Sequence, residues 1–332
     1  MSTAAVDPLF PPDLERVIFE LAASSSPFSI HKLMLVAWRV KEWIEPLRYH
    51  VAVASSTDGG HYSTRGYPQA DISQLLLTSP SHLHRTVRHL CLANPHAKDT
   101  LSLLSNCPNV QSIWGSGPEL KQLLTIQPRR LTRLHLDLER LFRPPTPPDF
   151  THRLFSHITH LEIFDRPRTL DWTVWSGLAS LPHLTHLAFN SEQFIYIFPD
   201  LLHACRALRV LALVVTGKRV ESPVPPVLLE DVRFVWMICA EYVKDWHAGA
   251  FIGRDFWTRA EEFIHMRRTG EVDRLQYRIE QDETCRVETI EIVSLLLECG
   301  ADATLVGVYF SSVLQAAGTV LSRPNPQALA VV

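Results

Sequence analysis

Between residues 87 and 237 the chain repeats one arrangement: an apolar residue, two others, an apolar residue, one other, then an apolar residue. It reads VRHLCL at 87–92, LTRLHL at 131–136, ITHLEI at 158–163, LTHLAF at 184–189, LRVLAL at 208–213 and, more weakly, VRFVWM at 232–237. VQSIWG at 110–115 fits the first two positions only. The fourth positions are Leu90, Ile113, Leu134, Leu161, Leu187, Leu211 and Val235, at intervals of 21 to 27 residues. On a strand the fourth and sixth residues share a face, so each motif predicts a short strand that directs those two side chains into a core. Helix-like stretches at 98–106, 119–126, 173–181 and 194–205 separate the strands. One such unit cannot bury its apolar face alone, which predicts stacked units joined by a parallel sheet.

The flanks have a different rhythm. Residues 10–50 contain FPPDLERVIFELAA and then IHKLMLVAWRVKEWIEPLRYH. Proline entry followed by Asp13 suits the start of a helix, and Leu14, Val17, Ile18 and Leu21 fall on one face of it. In the second part Leu35, Val36, Val40, Trp43, Ile44 and Leu47 recur at helical spacing. DFWTRAEEFIHMRR at 255–268 predicts another helix, with Asp255 as its N-cap and Gly270 just past its end. Its apolar positions form one face, expected to cover the open end of the repeat core. Polar or proline-rich stretches at 54–71, 143–149, 218–226 and 322–332 read as loops.

Composition narrows the function classes. The 332 residues are 46% hydrophobic, which excludes a wholly disordered chain. A net charge of −3 argues against nucleic acid as the main partner, since phosphate contacts need surplus Lys and Arg. Glycine is scarce, at 13 against 23 prolines, which disfavours a phosphate-cradling loop. The six cysteines are far apart with no CxxC, so they read as reduced thiols of an intracellular protein, cytoplasmic or nuclear. The N-terminus lacks the basic and apolar regions of a secretory signal. The densest apolar run, 208–215, is too short for a membrane span.

No nucleotide, metalloprotease, nucleophile-elbow or calcium-loop motif occurs, and no catalytic residue, cofactor or metal is expected. The H-x-x-H pairs within the strands face opposite sides and make a poor chelate. The third motif positions are His89, Ser112, Arg133, His160, His186, Val210 and Phe234, and the fifth are Cys91, Trp114, His135, Glu162, Ala188, Ala212 and Trp236. Both columns are expected on the exposed face of the sheet. His89, Trp114, Arg133, His135, His160, Glu162, His186 and Trp236 then form a candidate partner-binding face for an acidic or aromatic segment. The same pattern also fits a solvated face that merely tolerates histidine.

The repeat resembles the leucine-rich-repeat solenoid, although its ninth positions (Pro95, Pro118, Glu139, Arg166, Glu192, Thr216 and Ala240) lack the family's Asn or Cys, so the coil is expected to be irregular. Residues 8–50 resemble an F-box through Phe10-Pro11-Pro12, Leu14, Ile18, Leu21, Leu35-Val36, Arg39-Val40 and Trp43, with Phe10 where the family has Leu. That resemblance implies docking onto a Skp-type adaptor of a cullin–RING ubiquitin ligase through Pro11, Pro12, Leu14, Ile18, Leu35 and Val36. The other reading of the segment is a helical hairpin that only caps the repeats. Through LCLANPH, LLSNCPNV, LFSHITHLEIFD, LASLPHLTHLAF and DFWTRAEEFI the chain to about residue 272 is similar to fungal F-box-like proteins. VETIEIVSLLLECGADAT at 287–304 and VYFSSVLQAAG at 308–318 resemble a piece of an ankyrin array, with neither neighbouring helix supplied.

The expected architecture is therefore α/β: F-box-like helices over 8–50, an irregular leucine-rich-repeat-like solenoid over 80–250, a capping helix over 251–272 and an ankyrin-like fragment over 285–320. The expected function is a non-catalytic substrate receptor of an SCF-type ligase, binding an unknown protein substrate on the solenoid face, with no nucleic acid and no membrane. A scaffolding solenoid without ligase association is the alternative.

Overall fold

The computed structural model describes residues 10–55, 70–71, 81–93, 97–126, 128–142, 146–164, 166–167, 169–216, 223–240 and 242–279. The ankyrin-like stretch and most of the loop expected at 54–71 lie outside the described residues. The chain divides into two compact units, residues 45–282 and residues 1–44 with 283–332.

The larger unit is built on ten strands. These are β1 (Val51–Ser55), β2 (Ala70–Asp71), β3 (His89–Ala93), β4 (Ser112–Ser116), β5 (Arg133–Leu136), β6 (His160–Ile163), β7 (His186–Phe189), β8 (Val210–Val215), β9 (Phe234–Ile238) and β10 (Arg278–Ile279). They form one sheet in the order β10-β9-β8-β7-β6-β5-β4-β3-β1-β2. Every pairing is parallel. Each repeated motif carries a strand, and the register sets Leu90, Ile113, Leu134, Leu161, Leu187 and Leu211 in one row. That row is fully buried in the main core, together with Leu136, Ile163, Phe189 and Leu213. The connections wall this core on the other side through Leu103 and Leu104, Leu138 and Leu141, Phe194, Phe198 and Leu201.

At the entry of the strands, threonines at the second motif position tie neighbouring units together. The Thr159 hydroxyl donates to the Thr132 carbonyl (3.1 Å) and the Thr185 hydroxyl to the Thr159 carbonyl (3.2 Å). The backbone amides of Thr159 and His160 both reach the same Thr132 carbonyl. A β-branched residue that also satisfies a buried carbonyl suits the entry of a strand.

The architecture corrects the expectation. The fold is α/β on a central, all-parallel sheet, and not an F-box followed by a leucine-rich-repeat-like solenoid with an open face. What overturns it is a helical layer on the supposedly free side of the sheet. For the helices, α1 is Pro12–Ser25, α2 Ile30–Leu33 and α3 Trp38–Ile44. Next come α4 (Ser81–His84), α5 (Ala97–Asn106), α6 (Leu138–Phe142), α7 (Trp172–Trp175), α8 (Phe198–Ala204) and α9 (Pro226–Glu230). The last two are α10 (Tyr242–Ile252) and α11 (Phe256–Thr269). Phe256, Trp257, Ala260, Phe263 and Ile264 of α11 pack on Ala188, Val210, Ala212, Val214, Val235 and Met237. Trp246 of α10 packs with Val51, Val53, Cys91 and Trp114. Helix α11 therefore lies across the face of strands β7–β9 instead of plugging an end.

The caps of α11 follow the residues read from the sequence. The Asp255 carboxylate accepts from the Thr258 amide (3.0 Å), and Gly270 closes the helix at φ 84° in the left-handed region. Gly249 lets α10 approach this N-cap, because a Cβ there would meet Asp255 atoms at 2.7 Å.

Strand β9 is displaced by one residue from its expected register. Leu211 pairs with Phe234, not Val235. A one-residue slip exchanges the two faces of a strand, and both alternating sets here are apolar. The large rings Phe234 and Trp236 enter the main core, while the smaller Val235 and Met237 face α11.

The smaller unit contains the short helices α1, α2 and α3. Pro11 precedes α1 in an extended conformation, Pro12 opens it, and Asp13 and Glu15 occupy its first turn. Phe19, Ala22, Ala23, Ile30, Leu33, Val40 and Ile44 are buried, and Arg39 of α3 grips Glu15 of α1 with two hydrogen bonds (2.7 and 2.9 Å). The second half of the segment is thus two helical pieces, with turns between residues 33 and 38.

Candidate functional site

Two regions gather the residues singled out from the sequence. On the N-terminal helices the buried set leaves an apolar stripe outside. Pro11, Pro12, Leu14, Leu35 and Val36 are exposed and Ile18 is half-buried. Leu35 is 84% exposed, and Val17, Leu21 and Trp38 extend the stripe. Trp38 was not among the expected contacts. Its Nε1 donates to Glu42 (2.8 Å), and the Lys41 ammonium lies 4.9 Å from the ring centroid. An exposed indole held by both a hydrogen bond and a cation has little rotamer freedom left to lose on contact.

The second region is the layer between the sheet and helices α10 and α11. The register aligns the third-position column as His89, Ser112, Arg133, His160, His186, Val210 and the fifth as Cys91, Trp114, His135, Glu162, Ala188, Ala212. The columns are the predicted ones, but they are not free. Trp114, His135, Glu162 and His186 are buried, and His89, Arg133 and His160 are half-buried. Trp236 leaves the set altogether. It faces the main core and stacks under the Arg278 guanidinium, 4.7 Å from its ring. The expectation of an exposed partner-binding face is corrected accordingly, because α10 and α11 occupy it.

Inside this layer the polar groups find partners on the helices. Arg133 pairs with Asp255 (2.9 Å), and His186 Nε2 meets Glu261 (2.9 Å). Asp245 accepts from the Phe256 amide (2.7 Å) and pairs with Arg259 (2.5 Å). The imidazoles of His160 and His186 stack at 4.0 Å and 6°, and each meets the Trp257 ring edge-on, at 5.4 and 5.7 Å. The hydroxyls of Thr159 and Thr185 lie 2.8 Å from the Nδ1 atoms of His160 and His186.

At the centre, His135 Nδ1 and Glu162 Oε2 are 2.7 Å apart and sealed from water. Burial, with Asp245 and Asp255 nearby, drives the Glu162 carboxyl well above its ordinary range. Burial and the Arg133 charge lower His135 to about 3. Both shifts favour the neutral forms, in which the carboxyl O–H donates to the imidazole nitrogen. Glu162 Oε1 and Trp257 Nε1 have no hydrogen-bond partner among the described residues. Burial likewise lowers His89 to about 3 and His247 to about 4. His160 falls to about 2 through burial and the adjacent His186.

The partners contributed by α10 and α11 (Asp245, Asp255, Arg259, Glu261 and Trp257) were not legible as partners. One signal did point to a covered face. Strand β8 reads VLALVV, apolar on both alternations and buried at every residue, as parallel strands covered on two sides do.

A surface cavity of about 420 Å³ lies by α8 and the 225–233 turn, with His203 and Arg206 at its rim. The Arg233 guanidinium there is spent on Asp231 and the Leu202 carbonyl. No group of three or more His, Cys, Asp or Glu able to hold a metal ion occurs among the described residues, and no described helix is long and apolar enough to cross a membrane. No family model matches the chain, and no curated protein matches it either.

Proposed function

We propose that the protein is a non-catalytic interaction module that docks a Skp-type adaptor of a cullin–RING ubiquitin ligase through its N-terminal helices. The observation that carries this reading is the apolar stripe of Leu14, Val17, Leu21, Leu35, Val36 and Trp38, all exposed beside a separately satisfied helical core. Large apolar side chains concentrated on one small helical surface mark an interaction site. The resemblance of residues 8–50 to an F-box gives the adaptor as the occupant. Against an enzyme stands the placement of the most perturbed titratable pair, His135 and Glu162, which is closed to substrate on both sides. The buried free thiols Cys91, Cys107, Cys205 and Cys239 support a reducing, intracellular setting. A protein substrate, in this reading, is met on surface other than the face that α10 and α11 cover.

The test is direct binding of the purified full chain to a purified Skp-type adaptor, by calorimetry. Leu14→Asp and Leu35→Asp, each checked for an unchanged helical spectrum, should abolish the interaction. Absence of binding by the wild-type chain, or binding indifferent to both changes, rejects the reading.

A further inference from the structure

The layer beneath α10 and α11 has a composition that a purely structural interface does not need. Helix on sheet is ordinarily an apolar contact. Here one end of the interface is apolar, where Phe263 and Ile264 meet Val210, Val214 and Met237. The other end is crowded with titratable groups. The sheet supplies His89, Arg133, His135, His160, Glu162 and His186, with His50, Arg88 and Arg209 in the preceding turns. Helix α10 supplies Asp245 and His247. Helix α11 and its cap supply Asp255, Arg259 and Glu261.

These groups divide by what acid does to them. Arg133–Asp255 and Arg259–Asp245 are ion pairs between helix and sheet or within the helices, and hold no imidazole. His186 faces Glu261, so its protonation has a nearby anion. His160 has none: its Nδ1 meets a hydroxyl, its ring faces are taken by His186, and Trp257 stands at its edge. His135 shares its hydrogen bond with Glu162, whose burial favours the neutral carboxyl over an anion. His89 lies between Trp246 (6.2 Å) and the cations Arg133 and Arg88. A proton on any of these three places a cation in a layer that already holds Arg133.

We propose that α10 and α11 form an acid-released clasp: they close on the outer face of the sheet while His89, His135 and His160 are neutral and let go when those histidines take up protons. An open state, in which the imidazoles reach water and regain a pKa near 6.5, binds protons that the closed state refuses. At about pH 5.5 each such histidine shifts the balance toward opening by about tenfold. The main core on the other side of the sheet contains none of these groups, so it stays intact while the clasp opens. What opening uncovers is the double column of His89, Trp114, Arg133, His135, His160 and His186.

The experiment is hydrogen–deuterium exchange on the full chain between about pH 7.5 and pH 5, corrected for the intrinsic rate at each pH. Peptides from 242–269 should lose at least about tenfold of their protection at the acid end, while peptides from 197–213 keep theirs. Unchanged protection of 242–269, or simultaneous loss from both regions, overturns the clasp. His160→Gln, which removes a titrating ring that faces no anion, should move the opening to lower pH. An opening midpoint that does not move overturns the assignment to the histidines. Should that variant fold poorly at neutral pH, His89→Gln at the half-buried end of the column answers the same question in the same way.

Discussion

The two faces of one sheet bury their side chains under opposite rules. On the inner face, leucines and Ile113 stand in register from β3 to β8 within one apolar cluster. On the outer face, at the same depth, imidazoles, a carboxyl and a guanidinium alternate with small apolar residues beneath two helices. The inner row is closed to water, and so are His135 and Glu162 at the centre of the outer face, while His89, Arg133 and His160 are half-buried. Only the outer one stores its stability in protonation states, because each buried polar group there is tolerated in one charge form. Burial alone therefore says little about how a face responds to its surroundings.

The sharpest way to break the contrast is to damage the inner face. Phe189 is fully buried and packs on Phe194, Phe198 and Trp175 at centroid distances of 4.3, 5.3 and 6.4 Å. Phe189→Ala should cost about 3–5 kcal/mol, by the same amount at pH 7.5 and pH 5.5 in urea titrations, since nothing near it titrates. A pH-dependent cost would show the inner face to be coupled to the outer.

Next in size is the outer face's response to acid. His135 is held near 3 in the folded protein against an ordinary value of 6.5. The unfolded chain thus binds the proton first, and stability is lost as pH falls below about 6.5. The loss approaches about 1.4 kcal/mol for each further unit from this residue alone. His135→Asn should flatten that slope in denaturant midpoints measured from pH 7.5 to 5. An unaltered slope would place the acid sensitivity elsewhere.

Glu162 runs the other way. Its folded pKa is raised, so its contribution is complete below about 4.5 and is lost as pH rises. Glu162→Gln mimics the neutral carboxyl and should change stability by less than about 1 kcal/mol at pH 5, with the variant gaining on the wild type as the medium becomes alkaline. If Glu162→Gln instead costs about 3 kcal/mol or more at pH 7.5, the His135–Glu162 contact is an ion pair. The smallest effect belongs to the N-terminal stripe: Leu35→Asp should move the unfolding midpoint by less than about 0.5 kcal/mol, because Leu35 is 84% exposed. A large loss would mean that Leu35 is packed in solution.

Much of the inner face was readable from the chain. A period of two in short segments assigns faces without ambiguity when one alternation is leucine and the other is polar, as at Leu134 and Leu161 against His135 and Glu162. The reading failed where that contrast vanished. In FVWMI both alternations are apolar, and side-chain size, which depends on the space available in the fold, chose Phe234 for the core. It also failed for the covering helices. The apolar stripe of α11 was plain, but a stripe says that a helix is covered and not by what. Its target, Ala188 with Val210, Ala212 and Val214, is assembled from two strands that no local pattern relates. Seven of the eight candidate binding residues thus share one layer, which is covered where an open face was expected, and Trp236 lies in the main core. On α1–α3 the expected contacts Pro11, Pro12, Leu14, Leu35 and Val36 are exposed and Ile18 is half-buried.

One arginine sets where this unit can be cut. Arg267, in the last turn of α11, is almost entirely buried, with Asp231 and Asp273 among the charges around it. Its guanidinium donates to the carbonyls of Val232 (3.2 Å), Phe234 (2.8 Å) and Leu229 (3.3 Å), and twice to that of Arg274. Seven residues on from Arg267 and five past the end of the helix, the Arg274 carbonyl is thus part of the cation's cage, and β10 pairs with β9 a few residues later. A chain ending at residue 272, the boundary suggested by the helix pattern, removes the Arg274 carbonyl and both hydrogen bonds that the buried Arg267 makes to it. The smallest autonomous piece of the sheet therefore runs to Ile279, and domain boundaries drawn at the end of a helix can fall short by the reach of one side chain.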